Sequence, residues 1–123
     1  MLFDTSVLIA HLRGDARATD LLLSVPTIDR MASALARVEI EAGMRTGERA
    51  SVAGLINGLR LLPVTDAIAR RAGEHLRRYR RSHVGIDLVD YLVAATAEAY
   101  DAPLLTLNVR HFPMLTGLEP AFG

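Results

Sequence analysis

Residues 1–10 read MLFDTSVLIA. This short segment indicates the type of fold, and it also contains a carboxylate, Asp4, within a largely apolar sequence. Leu2 to Asp4 is predicted to be a short strand, and a helix is predicted from Ser6 to Arg13, where Gly14 ends it. Asp4 therefore lies between two apolar runs. A buried carboxylate is costly unless it is compensated, so Asp4 must cap a helix, pair with another group or bind a ligand.

The rest of the chain continues the alternation of strands and helices. Strands separated by helices indicate parallel pairing, with helices on both faces of the sheet. We therefore predict an α/β fold, a three-layer α/β/α sandwich around a short parallel sheet, in one domain over residues 1–123. The predicted strands are Arg30–Ala34, Leu61–Val64 with Pro63 at an edge or terminus, and Leu104–Leu107; the predicted helices are Ala16–Val25, Leu35–Thr46, Ala50–Leu59, Asp66–Arg81 and Leu88–Tyr100, before a loop with a helical turn over Asn108–Leu115.

Composition removes several classes of protein. The 123 residues include no cysteine, which excludes disulfides, thiolate nucleophiles and zinc ribbons, and no lysine, which excludes amine chemistry. No apolar run approaches the roughly 20 residues of a membrane span, and no basic segment of a signal peptide precedes the first strand. We expect a soluble, cytoplasmic protein without a membrane partner.

Two further acids are candidates to join Asp4, because ligands of such sheets bind beyond the carboxyl ends of the strands. In the helix ALARVEIEAGMRTG, Glu39 lies within the arc of Leu35, Val38 and Ala42 and is predicted to point inward. Glu41 falls between Arg37 and Arg45 and is predicted to be solvated. For each acid an ordinary role stays open: a helix cap by Asp4, Thr5 or Ser6, and a rim position or an arginine partner for Glu39.

Asp90 is the third acid, in the largely apolar helix GIDLVDYLVAATAEAY. Asp87 is predicted to be the N-cap, which places Asp90 at the third helical position of a capping box. Asp90 also faces the same way as Val93, Ala94 and Ala97, small residues that leave space for an ion or a backbone phosphate. Three inward acids would repel one another without a cation, and oxygen-only ligands suit Mg²⁺ or Mn²⁺. Such an ion supports nuclease chemistry.

Four segments, MLFDTSVLIA, RVEIEAG, GIDLVDYLVAATA and LLTLNVRHF, occur in an order and spacing that resembles the PIN-domain ribonucleases, and among them the small VapC-type toxins of bacterial toxin–antitoxin pairs. The resemblance covers essentially the whole chain. It implies that Asp4, Glu39 and Asp90 are the catalytic, metal-binding acids, with Thr5 or Ser6 as a nearby hydroxyl. The family usually has a fourth acid after the last strand; this chain has Asn108 there, with His111 a turn later.

The resemblance also implies activity and partners. It implies endonucleolytic cleavage of structured RNA such as transfer or ribosomal RNA, a homodimer, and a cognate antitoxin encoded beside the protein. Between Arg70 and His83, six arginines face one acid, Glu74, a net charge of +5 within a chain of zero net charge. The apolar stripe Ile68, Ala72, His75, Leu76 and Tyr79 would pack inward, and flanking arginines could line an RNA groove. The candidates are Arg77, Arg78, Arg80 and Arg81; the alternative is a solvated helix whose arginines only confer solubility.

Other classes of protein fit the same residues less well. A response-regulator receiver needs an acidic pair after its first strand and a late lysine, and a haloacid-dehalogenase-type phosphatase needs an aspartate where Ser6 stands. No GxGxxG or Walker A motif is present. The strongest alternative is a PIN-like domain that binds RNA or protein without cleaving, which the neutral Asn108 favours.

Overall fold

A sheet of four short parallel strands lies at the centre of the computed structural model, which describes residues 1–122. The strands occur in the order β3-β2-β1-β4, and Leu2 is paired with Met31 on one side and with Leu104 on the other. Pro63 directly follows the edge strand β3. This agrees with the prediction that Pro63 lies at an edge or terminus, because proline has no backbone N–H to donate. The bounds are β1 Leu2–Phe3, β2 Met31–Ser33, β3 Arg60–Leu62 and β4 Leu104–Leu105.

Helices cover both faces of this sheet, and the alternation of side chains along each strand decides which helices each residue contacts. Phe3 packs among α1–α4, whereas its neighbour Leu2 packs against α6. The helix α5 packs in turn on α6 through Ile68 and Ala72. The predicted three-layer sandwich is confirmed. The helices are α1 Thr5–Leu12, α2 Ala16–Ser24, α3 Ala34–Gly43, α4 Arg49–Asn57, α5 Asp66–Tyr79 and α6 Leu88–Ala99.

Most predicted bounds differ from the observed ones by one or two residues, but the end of α3 was wrong by three. The helix stops at Gly43 because Met44 is extended, and the backbone N–H of Arg45 then donates to the Glu48 carboxylate at 2.6 Å. A short 3₁₀ turn at Thr27–Asp29 was not predicted, whereas the helical turn after β4 is present at Val109–His111. Within residues 1–122 no helix is long and apolar enough to cross a membrane.

A buried histidine links α5 to α6. His75 is almost fully buried and contacts the Glu98 carboxylate, whose other oxygen accepts from Arg71 at 3.1 Å. Partial burial acts to raise the pKa of Glu98, but hydrogen bonds from His75 and Arg71 outweigh it, so the pKa lies below its usual value. Arg71 also pairs with the exposed Glu74 at 2.9 Å.

We expect Glu98→Ala to lower the free energy of unfolding by about 1 kcal/mol, because it leaves the buried His75 without its partner. Glu74→Ala is the matched control and should cost less than about 0.5 kcal/mol, since it removes only an exposed ion pair with the same arginine. The pKa of Glu98 is lower in the folded protein than in the unfolded chain. Glu98 therefore stabilises the folded protein fully above its unfolded pKa, and this stabilisation is lost as pH falls through its folded pKa. Urea unfolding at neutral and acidic pH measures both effects; equal losses for the two variants would contradict the role of His75.

Candidate active site

The candidate site lies where the order of the strands reverses. The chain passes from β1 to β2 and β3 on one side, and then returns to β4 on the other side of β1. In open parallel sheets, ligands bind beyond the carboxyl ends of the strands at such a reversal. Asp4 directly follows β1 and Thr106 directly follows β4, so both lie at this point.

The side chain of Asp4 does not cap the helix that it precedes. Asp4 has the extended backbone of an N-cap, but its carboxylate accepts no hydrogen bond from the amides of residues 5–8. One carboxylate oxygen, Oδ2, instead accepts from the hydroxyls of Ser6 and Thr106, each at 2.8 Å. Asp4 is only 6% exposed. Its carboxylate is therefore buried and fixed in orientation, with Oδ1 free of these two bonds.

Thr106 is the residue of this site that the sequence analysis missed. It is completely buried, donates to Asp4 and accepts from the backbone N–H of Asn108 at 3.0 Å. The pairing of Phe3 with Leu105 places Thr106 beside Asp4 on the neighbouring strand. A signal was available, because Thr106 follows the strand LL as Asp4 follows LF, and adjacent parallel strands bring such residues together.

Glu39 is joined to the same region through Thr5. The buried hydroxyl of Thr5 donates to Glu39 Oε1 at 2.8 Å, so Glu39 contacts the residue next to Asp4. Glu39 itself is half-buried.

The reason for which Glu39 was predicted to face inward was wrong. The buried residues of α3 are Ala36 and Ile40, whereas Val38 is 61% exposed and Ala42 is also exposed. Glu39 lies at the border between the two faces and is partly covered through its contact with Thr5. The prediction for Glu41 is confirmed: it is exposed and pairs with Arg37 at 3.1 Å.

Asp90 forms the predicted capping box with Asp87 at the start of α6. Its Oδ2 also lies 3.2 Å from Nδ1 of His111. Burial, and then the negative charge of Asp87, raise the pKa of Asp90 to about 6; His111 opposes this shift, and the charge of Asp4 adds to it. The charge of Asp4 is thus among the groups that influence Asp90.

The acids do not form a ready-made ligand cluster. Among residues 1–122, no group of three or more acidic or histidine side chains is close enough to share one ion. Each acid turns toward its own partner: Asp4 toward hydroxyls, Glu39 toward Thr5, and Asp90 toward His111. Asn108 is exposed, and within the same residues only its backbone, not its side chain, is bonded to this network.

The arginine-rich helix packs as predicted. Ile68, Ala72 and His75 are buried, and Leu76 and Tyr79 are partly buried. The four candidate arginines are exposed, and none of them has an ion-pair partner among residues 1–122. They are Arg77, Arg78, Arg80 and Arg81.

Comparison with known proteins relates this geometry to one family. Residues 1–114 match the profile of the PIN domain. The chain is 51% identical over 124 residues to Ribonuclease VapC10 of Mycobacterium tuberculosis, covering all of this chain and 93% of that protein. It is 46% identical over 123 residues to Ribonuclease VapC19 of the same species, covering 98% of each.

A solved structure shares the fold. A toxin–antitoxin complex from Klebsiella pneumoniae contains a chain that superposes with a TM-score of 0.82 at 24% identity, covering 98% of this chain and 97% of that one. At this identity the likeness concerns the fold alone. The three-layer arrangement around β3-β2-β1-β4 is thus one that a solved protein adopts over nearly its whole length.

Proposed function

Because this chain belongs to the PIN-domain family and is a VapC-type ribonuclease toxin of a toxin–antitoxin module, we propose that Asp4, Glu39 and Asp90 are its catalytic, metal-binding acids. The observation that carries the assignment is the orientation of Asp4: a buried carboxylate that two hydroxyls fix at the reversal of the sheet, near Asp90. Thr5 and Ser6 support these acids, and Asn108 is the candidate for a fourth, uncharged ligand. The assignment treats residues 1–123 as a single PIN-like domain.

The donor set of the site fits Mg²⁺ or Mn²⁺. All three acids offer carboxylate oxygens, and the raised pKa of Asp90 reflects a buried, negatively charged environment in which a cation would be stabilised. Mg²⁺ retains several waters and commonly uses one or two carboxylates, so it does not require three acids in direct contact. When bound, such an ion supplies Lewis-acid stabilisation of the charge that develops on the phosphodiester oxygens.

Neighbouring residues hold the three acids in defined orientations. Ser6 and Thr106 fix one oxygen, Oδ2, of the Asp4 carboxylate, Thr5 fixes Glu39, and the capping box fixes Asp90. Burial excludes water from most of Asp4, which strengthens its electrostatic interactions. Above pH about 6, Asp90 is ionised and can act as a ligand.

We expect Mn²⁺ or Mg²⁺ to raise the melting temperature and to be required for cleavage of a mixed RNA substrate, because ions that bind only the folded protein stabilise it by mass action. Asp90→Asn should remove most of the thermal shift, and Asn108→Asp should increase it. Melting curves and RNA gels with each ion and with EDTA are the measurements. RNA binding without cleavage in every ion would favour the alternative, a non-cleaving PIN-like domain.

The proposed substrate is structured RNA, and the exposed arginines of α5 and the following loop are its proposed binding surface. Replacing Arg77, Arg78, Arg80 and Arg81 together by Gln should weaken RNA binding and flatten its salt dependence, because fewer counterions are released. Binding isotherms at several salt concentrations give the slope. An unchanged slope would assign these arginines to solubility only.

The proposed protein partners are a cognate antitoxin and a second copy of this chain. The chain that superposes on this one comes from a toxin–antitoxin complex. The homodimer is supported by α3, where the apolar Val38 and Ala42 are exposed and the neighbouring Leu35 is only half-buried. Exposed apolar patches are typical of interaction surfaces, so covering these side chains in a dimer would account for the pattern.

A further inference from the structure

A cavity of about 470 Å³ adjoins the candidate active site. Its walls are the loop of residues 82–86 on one side, and Arg110 and His111 on the other. His111 also contacts Asp90 at 3.2 Å, so one wall of the cavity is shared with the site. A molecule in the cavity would therefore lie one side chain away from Asp90, one of the proposed metal-binding acids.

The cavity walls contain a guanidinium group, an imidazole ring and two apolar side chains. Arg110 is exposed and has no ion-pair partner among residues 1–122. His83 is fixed by a 2.8 Å contact between its Nδ1 and the Ser82 hydroxyl, which leaves Nε2 available. Ile86 is half-buried, and the side chain of Val84 is 90% exposed.

The loop that forms one wall is pre-shaped. The backbone N–H of His83 donates to the carbonyl of Tyr79 at 2.8 Å, and the two rings meet edge to face at 5.4 Å. Gly85 has a φ angle of +94°, a backbone conformation that residues with a side chain rarely adopt. These contacts hold the imidazole in place without a ligand, and a pre-organised wall reduces the cost of binding.

We propose that this cavity binds one nucleotide of the RNA substrate next to the cleaved phosphodiester, with Arg110 on its phosphate and His83 and Ile86 against its base. The inference rests on the proposed function in taking RNA as the substrate. A single phosphate would leave most of the cavity empty, whereas cavities of about 300–1,000 Å³ are typical of small-molecule sites. Unstacked bases of RNA loops are commonly bound by aromatic side chains, including histidine. The site therefore favours a looped-out nucleotide over a paired one.

A binding measurement without metal tests the site directly. Adenosine 5′-monophosphate and inorganic phosphate are titrated at fixed pH while the C2–H resonances of the four histidines are followed by NMR, with His83→Ala used for assignment. We expect the nucleotide to shift the resonances of His83 and His111 in a saturable way, and phosphate to bind at least about 10-fold more weakly. No saturable shift would overturn the proposal, and so would equal affinity for phosphate, which would indicate an anion site only.

Matched variants separate this site from the nuclease assignment. Arg110→Gln should weaken nucleotide binding and raise the KM for RNA by about 10-fold with little change in kcat, because Arg110 contacts substrate away from the reacting atoms. Arg45→Gln, which removes another exposed arginine, should change neither. If the protein binds the nucleotide but cleaves no RNA, the nucleotide site is supported and the nuclease assignment is contradicted. If Arg110→Gln has a normal KM, the nucleotide site is contradicted and the nuclease assignment is unaffected.

Discussion

Asp4→Ala, Glu39→Ala and Asp90→Ala are each expected to lower the rate of RNA cleavage by at least about 100-fold while the protein stays folded. Each substitution would remove negative charge from the proposed metal site. Asp4 and Asp90 are near enough for their charges to interact, and Glu39 is joined to the residue after Asp4 through Thr5. Initial rates on a defined RNA, with circular dichroism to verify folding, measure the effect.

Glu41→Ala is the control for this series. Glu41 lies on the same helix as Glu39, two residues away, but it is exposed and pairs only with Arg37. Its removal should leave cleavage within about 2-fold of the parent, since exposed ion pairs contribute little. Similar activities for the Glu39 and Glu41 variants would show that Glu39 does not belong to the site.

Thr106→Val is expected to lower cleavage by about 10- to 100-fold, the usual effect of removing a group that orients a metal ligand, which is the role proposed for Asp4. Valine matches threonine in shape but lacks the hydroxyl that donates to Asp4 at 2.8 Å and accepts from the Asn108 amide at 3.0 Å. Because Thr106 is completely buried, the loss should also cost about 2 kcal/mol of stability. Cleavage rates and urea unfolding give the two numbers.

Two variants make the Thr106 result specific. Thr106→Ser restores the hydroxyl and should recover most of the activity. Thr96→Val removes an equally buried hydroxyl, one that donates only to the Leu92 carbonyl of its own helix at 2.7 Å, and should leave cleavage unchanged. Equal losses of activity in Thr96→Val and Thr106→Val would mean that packing, and not the orientation of Asp4, is responsible.

The architecture was predictable because its signals are local. The apolar runs around residues 2–3 and 104–105 and the helices between them determine a parallel sheet, since parallel strands need crossover connections. The capping box of Asp87 and Asp90 is equally local, as its two partners lie three residues apart. The formation of these features depends little on contacts with distant parts of the chain.

The predictions that failed depend on distant parts of the chain. The period of a helix gives the spacing of an apolar stripe but not which stripe the sheet covers, and α3 has one stripe through Ala36 and Ile40 and another through Leu35 and Val38. The role of Thr106 depends on β1 and β4 becoming neighbours, which is a property of the strand order. Thr106 follows its strand as Asp4 follows β1, but this local similarity identifies a partner of Asp4 only when β1 and β4 are known to be neighbours.

The contact between Asp4 and Thr106 also has a consequence for the timing of synthesis. The two residues are 102 positions apart in the chain, so the ribosome makes Asp4 long before the hydroxyl that orients it. Contacts of such long separation form late, because a large loop must close first. A nascent chain that stops between residues 90 and 103 would already contain Asp4, Glu39 and Asp90, yet it would lack both β4 and Thr106. Ribosome-bound intermediates of this toxin are therefore expected to be harmless to the RNA around them.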